Sequence, residues 1–147
     1  MNYKELKIKY VLPEYKELDF EFEIDEDAKF ILREIRRKIN SKVHAYLDII
    51  QGVLQPETSD FTQMYEMNFV SESKKLKLLK FYKKLMKISR WSDEIAMTFN
   101  EEQEATFIKK IYSEWTSIKE EMLKLIKTMK ESWDKELKQD NDTRYMG

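Results

Sequence analysis

The chain of 147 residues contains no cysteine, one histidine, two glycines and two prolines. Without cysteine there is no disulfide framework, no zinc–thiolate centre and no thiol nucleophile. With Gly52 and Gly147 as the only glycines, a glycine-rich phosphate loop is excluded. A serine nucleophile would likewise lack the glycines of a strand–turn–helix elbow. His44 is alone and is preceded at three residues by Ser41, so the paired Glu-x-x-His motifs of a di-iron bundle cannot be assembled. No apolar run approaches the roughly 20 residues of a bilayer span, and the opening Met1-Asn2-Tyr3-Lys4-Glu5 has no apolar signal core. The expectation is a cytoplasmic protein (host cytoplasm if viral) with no catalytic residue, cofactor, metal or membrane partner.

What the chain has in quantity is charge, 37% of its residues, balanced to a net −1. The balance conceals segregation. Residues 1–27 carry −5, residues 28–55 carry +4, residues 56–70 carry −3, residues 71–99 carry +5 and residues 100–147 carry −2. Few glycines and prolines with many charges also suit a thermophile, where short loops and ion pairs are favoured.

Residues 1–24 read as extended. Leu6, Ile8, Tyr10 and Leu12 alternate with polar residues, as do Leu18, Phe20, Phe22 and Ile24, around a turn at Pro13. A β-hairpin in this register sets Lys9 opposite Glu21 and Lys7 opposite Glu23. An arm ordered only on binding is the alternative. Asp25 and Asp27 then introduce a helix over residues 27–54 with a stripe of Leu32, Ile35, Ile39, Val43, Tyr46, Ile50 and Val53. A short crossover helix is expected over 60–68. A second long helix over 71–99 carries Leu78, Phe81, Leu85, Ile88, Ser92, Ile95 and Phe99 on one face. The third begins after Asn100, with Gln103 in the capping-box position, and repeats Ile108, Ile111, Trp115, Ile118, Met122, Leu125 and Met129 in three-four order. The fold expected is all-α: an antiparallel bundle of three long helices over 25–138 with a short crossover helix, an N-terminal β-hairpin or extended arm over 1–24, and a disordered tail over 139–147.

Three features bear on function. The second long helix opposes its apolar face with Lys77, Lys80, Lys84 and Lys87, and Trp91 stands among them outside the core arc. Such a face could hold phosphates, with Trp91 stacking on a base, be simply solvated, or be neutralised by the acidic arm. The arm includes Glu14, Glu17, Asp19, Glu21 and Glu23 and places eight carboxylates within residues 14–27, an array that could occupy a basic, nucleic-acid-binding groove of another protein. Arg37 and His44 stand at a spacing similar to the Arg…His motif of the all-α HEPN ribonucleases, but on the first long helix, not a late one. A solvated His44 salt-bridged to Asp48 is the reading adopted.

The opening Met1-Asn2-Tyr3-Lys4-Glu5-Leu6-Lys7-Ile8-Lys9-Tyr10, the acidic stretch containing Pro13 and a helical body of this length resemble the small, cysteine-free helical proteins of viruses that infect hyperthermophilic archaea. The similarity is to those that inhibit the host RNA polymerase. The resemblance implies a non-enzymatic protein that docks in the DNA-binding channel of the polymerase and blocks transcription. The alternatives are a virion or scaffold protein that self-assembles through the third long helix, and a nucleic-acid binder using the basic faces of the first two.

Overall fold

The computed structural model describes residues 2–135, so the tail expected over 139–147 lies outside the described residues. Among the described residues six helices follow one another: α1 (Tyr3–Tyr10), α2 (Tyr15–Phe22), α3 (Ile31–Leu54), α4 (Phe61–Met67), α5 (Glu72–Thr98) and α6 (Glu101–Ser132). The fold is an all-α helical bundle, and none of its helices is long and apolar enough to cross a membrane among the described residues.

Local chemistry explains where α4, α5 and α6 begin; α3 starts at Ile31 and not at residue 27, because Asp25 accepts from the Asp27 N–H in the preceding turn and Phe30, at the N-cap, offers no acceptor. The side chains of Ser71 and Asn100 accept hydrogen bonds from the backbone N–H of Lys74 and Gln103, capping α5 and α6, and Asp60 caps α4 through Gln63. Gln103 does not complete the reciprocal half of a capping box, because its side-chain oxygen accepts from the Thr98 hydroxyl at 2.9 Å. The expected stripes are mostly buried. Ile35, Ile39, Val43 and Ile50 of α3, Leu85 and Ile95 of α5, and Ile108, Ile111 and Ile118 of α6 are nearly or wholly inaccessible. Phe99 departs from its stripe: it terminates α5 in the left-handed conformation, with φ 55, and its ring is 69% exposed.

Pairings across the interfaces give the directions. Lys84 faces Glu114 and Trp91 meets Phe107, so α5 and α6 run antiparallel from the tight connection at Asn100. Arg36 reaches Ser92 and His44 reaches Ser89, so α3 and α5 are also antiparallel. Tyr46 stacks on Trp115 while Arg36 meets Glu104, which makes α3 and α6 parallel.

The N-terminal hairpin is not formed; no strand occurs among the described residues, and residues 3–22 fold as α1 and α2. The same residues satisfy a second periodicity. Tyr3, Leu6 and Tyr10, then Tyr15, Leu18 and Phe22, fall at helical spacing and turn inward, leaving Ile8 and Phe20 in solvent. Asn2 accepts from the N–H of Glu5, which starts α1, and Val11 and Glu23 end the two helices with φ 55 and 54. Eight-residue helices are not stable alone, so tertiary burial selects this period. Leu6, Leu12, Leu18, Phe22 and Ile24 join the same core as the long helices. The arm is fastened where Trp115 lies between Phe22 and Tyr46, at 4.8 and 5.5 Å between ring centroids, contacts worth about 0.5–1.5 kcal/mol each beyond their burial.

At the opposite end α4 closes over the end of α6. The Tyr65 ring stacks on Trp133 at 4.3 Å, its hydroxyl donates to the carbonyls of Ser132 and Lys135, and Trp133 Nε1 donates to Glu66 at 3.0 Å. The 57–70 segment is therefore apolar because it covers this helix end.

Candidate functional site

The acidic arm packs on α6 and α3, and Glu17 and Glu21 find their partners on α6, which gives no support to the reading in which the arm neutralises the lysines of α5. The carboxylates divide into those used inside the fold and those left outside. Glu21 accepts from Trp115 Nε1 at 3.1 Å and from Lys119 Nζ at 2.8 Å; Glu17 accepts from the Tyr112 hydroxyl at 2.9 Å. Glu14 pairs with Lys7, and Asp19 accepts from the backbone N–H of Ile24, closing the end of α2. Lys9, placed opposite Glu21 by the hairpin register, meets Glu101 instead, and Lys7 meets Glu14 rather than Glu23. Glu23, Asp25, Glu26 and Asp27 remain exposed, and beside them on α2 the Phe20 ring is 83% exposed.

On α5, Lys77, Lys80 and Lys87 are exposed and Lys84 reaches Glu114 at 4.0 Å. Lys74, Lys77, Leu78 and Phe81 of α5 share a groove of about 610 Å³ with Glu121, Lys124, Lys127 and Glu131 of α6, so its charges are mixed. Trp91 is half-buried, its ring edge-on to Phe107 at 5.0 Å, so α6 and not the arm covers it. A ring held in this contact is part of the α5–α6 packing.

Between α3 and α5 runs a polar seam. Arg36 is 3% exposed; its Nε donates to Glu104 at 2.6 Å, and one terminal nitrogen donates to the hydroxyl and carbonyl of Ser92 at 2.7 and 3.2 Å. Glu104 is 5% exposed, and burial pushes its carboxyl above the usual range despite the opposing pull of Arg36. Just over two turns further along α3, the His44 ring is 2.9 Å from the Ser89 hydroxyl, correcting the expected His44–Asp48 pair. Ser89 is fully buried, so this imidazole–hydroxyl contact offers no nucleophile to an external substrate. Among the described residues no group of three or more His, Asp or Glu is placed to hold a metal ion.

A second groove, of about 420 Å³, opens at the start of α3 and is lined by Ala28, Lys29, Phe30, Arg33, Glu34, Arg36 and Arg37 with Ala96 of α5. Arg33 lies over the Phe99 ring, 4.2 Å from its centroid. The sequence reading passed over Arg36, Glu104, Phe30 and Phe99 as site residues. Ser89 and Ser92, polar side chains on or beside an apolar stripe, are the signal that a polar partner waits on the facing helix. Nothing local singles out Glu104.

The chain matches no protein-family model, and neither curated proteins nor solved structures yield a similar protein.

Proposed function

We propose that this chain is a non-enzymatic binding protein that engages a large protein machine, with RNA polymerase as the candidate and its DNA-binding channel as the docking place. The observation that carries the reading is Phe20, 83% exposed on α2, with the exposed carboxylates of Glu23 and Glu26 just beyond it in the chain. Leu18 and Phe22 anchor the other face of α2 in the core, so the ring is presented on an ordered helix. A channel built for nucleic acid is basic; carboxylates steer the encounter and an aromatic anchor supplies affinity. The resemblance to polymerase inhibitors of archaeal viruses points the same way.

The test is binding to purified archaeal RNA polymerase together with promoter-directed run-off transcription. The wild-type chain should bind and reduce run-off product; Phe20→Ala combined with Glu23→Lys should weaken both by at least tenfold. Absence of binding to the polymerase at low salt refutes the reading.

Self-assembly as a virion or scaffold protein is the second reading, supported by Leu123 and Ile126, large apolar side chains exposed one turn apart on α6. Light scattering that shows a monomer at high concentration removes it.

A further inference from the structure

We propose that the groove at the start of α3 binds single-stranded nucleic acid, with Lys29, Arg33 and Arg37 taking backbone phosphates and the rings of Phe30 and Phe99 stacking on unpaired bases. The proposal is independent of the arm's partner. It starts from two phenylalanines at positions where the fold prefers other residues. Phe99 closes α5 with φ 55, a conformation that favours Gly or Asn. Phe30 occupies the N-cap of α3, where Ser, Thr, Asp or Asn would hydrogen-bond a free backbone N–H, and it makes no such bond. Neither ring gains burial in exchange, being 69% and 61% exposed. Residues that break a local rule without a packing gain mark sites kept for something outside the fold.

The two helix ends belong to distant parts of the chain, and Arg33 joins them: it lines the groove beside Phe30 and lies over the Phe99 ring just outside the lining. Lys29, Arg33 and Arg37 form no ion pair among the described residues; Lys29 and Arg33 lie over one face of the Phe30 and Phe99 rings, at 5.5 and 4.2 Å, which leaves the other faces open. Arg36 is held by Glu104, and Glu34, the one carboxylate lining the groove, accepts from the Asp25 amide. Guanidinium groups bind phosphate through paired N–H donors, and aromatic faces stack on any base, so cations interleaved with rings suit a strand whose bases are unstacked. A duplex keeps its bases stacked and would leave both rings idle.

The experiment is fluorescence anisotropy of the full chain with a fluorescein-labelled dodecamer of deoxythymidine, its uridine counterpart and a duplex of the same length. Both single strands should bind at low salt. Neutralising about three phosphates predicts a fall of roughly 20-fold between 50 and 200 mM salt. Arg37→Glu, Phe30→Ser and Phe99→Ala should each weaken binding about tenfold, with circular dichroism unchanged. Lys80→Glu, on the exposed face of α5, should leave it within about twofold. The RNA and DNA arms decide which strand is preferred. The proposal is overturned by absence of single-strand binding at 50 mM salt, by equal affinity for the duplex, or by Lys80→Glu weakening binding as much as Arg37→Glu. A folded Phe30→Ser or Phe99→Ala variant with unchanged affinity also overturns it, assigning those rings to a protein partner.

Discussion

Replacing Arg36 by Met should destabilise the protein strongly at alkaline pH and weakly at acid pH. Arg36 gives three hydrogen bonds in a site almost closed to water, one to the Glu104 carboxylate and two to Ser92. Met preserves the length of the stem and removes all three. At pH 8 the variant strands a buried carboxylate, a loss of about 3–5 kcal/mol set against a total stability of about 5–15 kcal/mol. Burial already holds the Glu104 carboxyl above its ordinary value, and loss of the guanidinium raises it further. Once the pH falls below the raised value, the folded variant takes up a proton that the unfolded chain does not yet bind, recovering about 1.4 kcal/mol per pH unit until the ordinary carboxyl value is reached. Near pH 5 the remaining cost should be that of the lost hydrogen bonds, about 1–2 kcal/mol. Adding Glu104→Leu to Arg36→Met removes the stranded charge and should return stability to within about 1 kcal/mol of wild type, or above it. Equilibrium urea unfolding, followed by tryptophan fluorescence at pH 8 and pH 5 and constant ionic strength, measures all of these. A cost under about 1 kcal/mol at pH 8, a cost independent of pH, or a double variant as unstable as the sum of the singles would refute the assignment of Arg36 and Glu104 as a buried ionised pair.

Phe30→Asp supplies the missing cap of α3 and should raise the melting temperature by about 2–4 °C, or about 1 kcal/mol; a lower melting temperature would show that the ring stabilises the fold. Glu21→Ala removes the acceptor shared by Trp115 and Lys119 and should loosen the arm, so that limited proteolysis cuts within residues 2–24 before the long helices; an unchanged cleavage pattern sinks this view of the arm's anchorage. Tyr3 donates its hydroxyl to the Pro13 carbonyl, and burial first, then Glu14, raises its pKa well above the ordinary phenol range. The folded chain therefore keeps a proton that the unfolded chain releases, so stability falls as pH rises above the ordinary tyrosine value. Tyr3→Phe should flatten that alkaline decline, and parallel curves for the two proteins between pH 9 and pH 11 would contradict it.

The long helices were legible because their signals are local and redundant. Ser71, Asp60 and Asn100 cap the helices they precede, and the three-four stripes of α3 and α6 are buried nearly residue for residue. The arm was misread because its apolar residues satisfy two periods at once. Over eight residues, period two and period 3.6 select overlapping sets, and the Asn2…Glu5 cap that favours helix is a small local term. The candidate surfaces were less legible still. Glu14, Glu17, Asp19 and Glu21 count equally in a sequence tally of charge, yet each is drawn into a contact within the fold, while Glu23 stays exposed.

The sequence by itself determined that α3, α4, α5 and α6 are helical, where α4, α5 and α6 start, and which faces are buried, since capping and amphipathicity are properties of neighbouring residues; the start of α3, expected at residue 27, falls at Ile31. Tertiary structure alone decided that residues 3–22 are helical, that the acidic arm lies on α6 instead of α5, and that Arg36 finds Glu104. It also brought Phe99 against Arg33, which lines the same groove as Phe30. Those outcomes depend on which distant surfaces exclude water together and which charges can be paired there, and a pattern along the chain does not encode them.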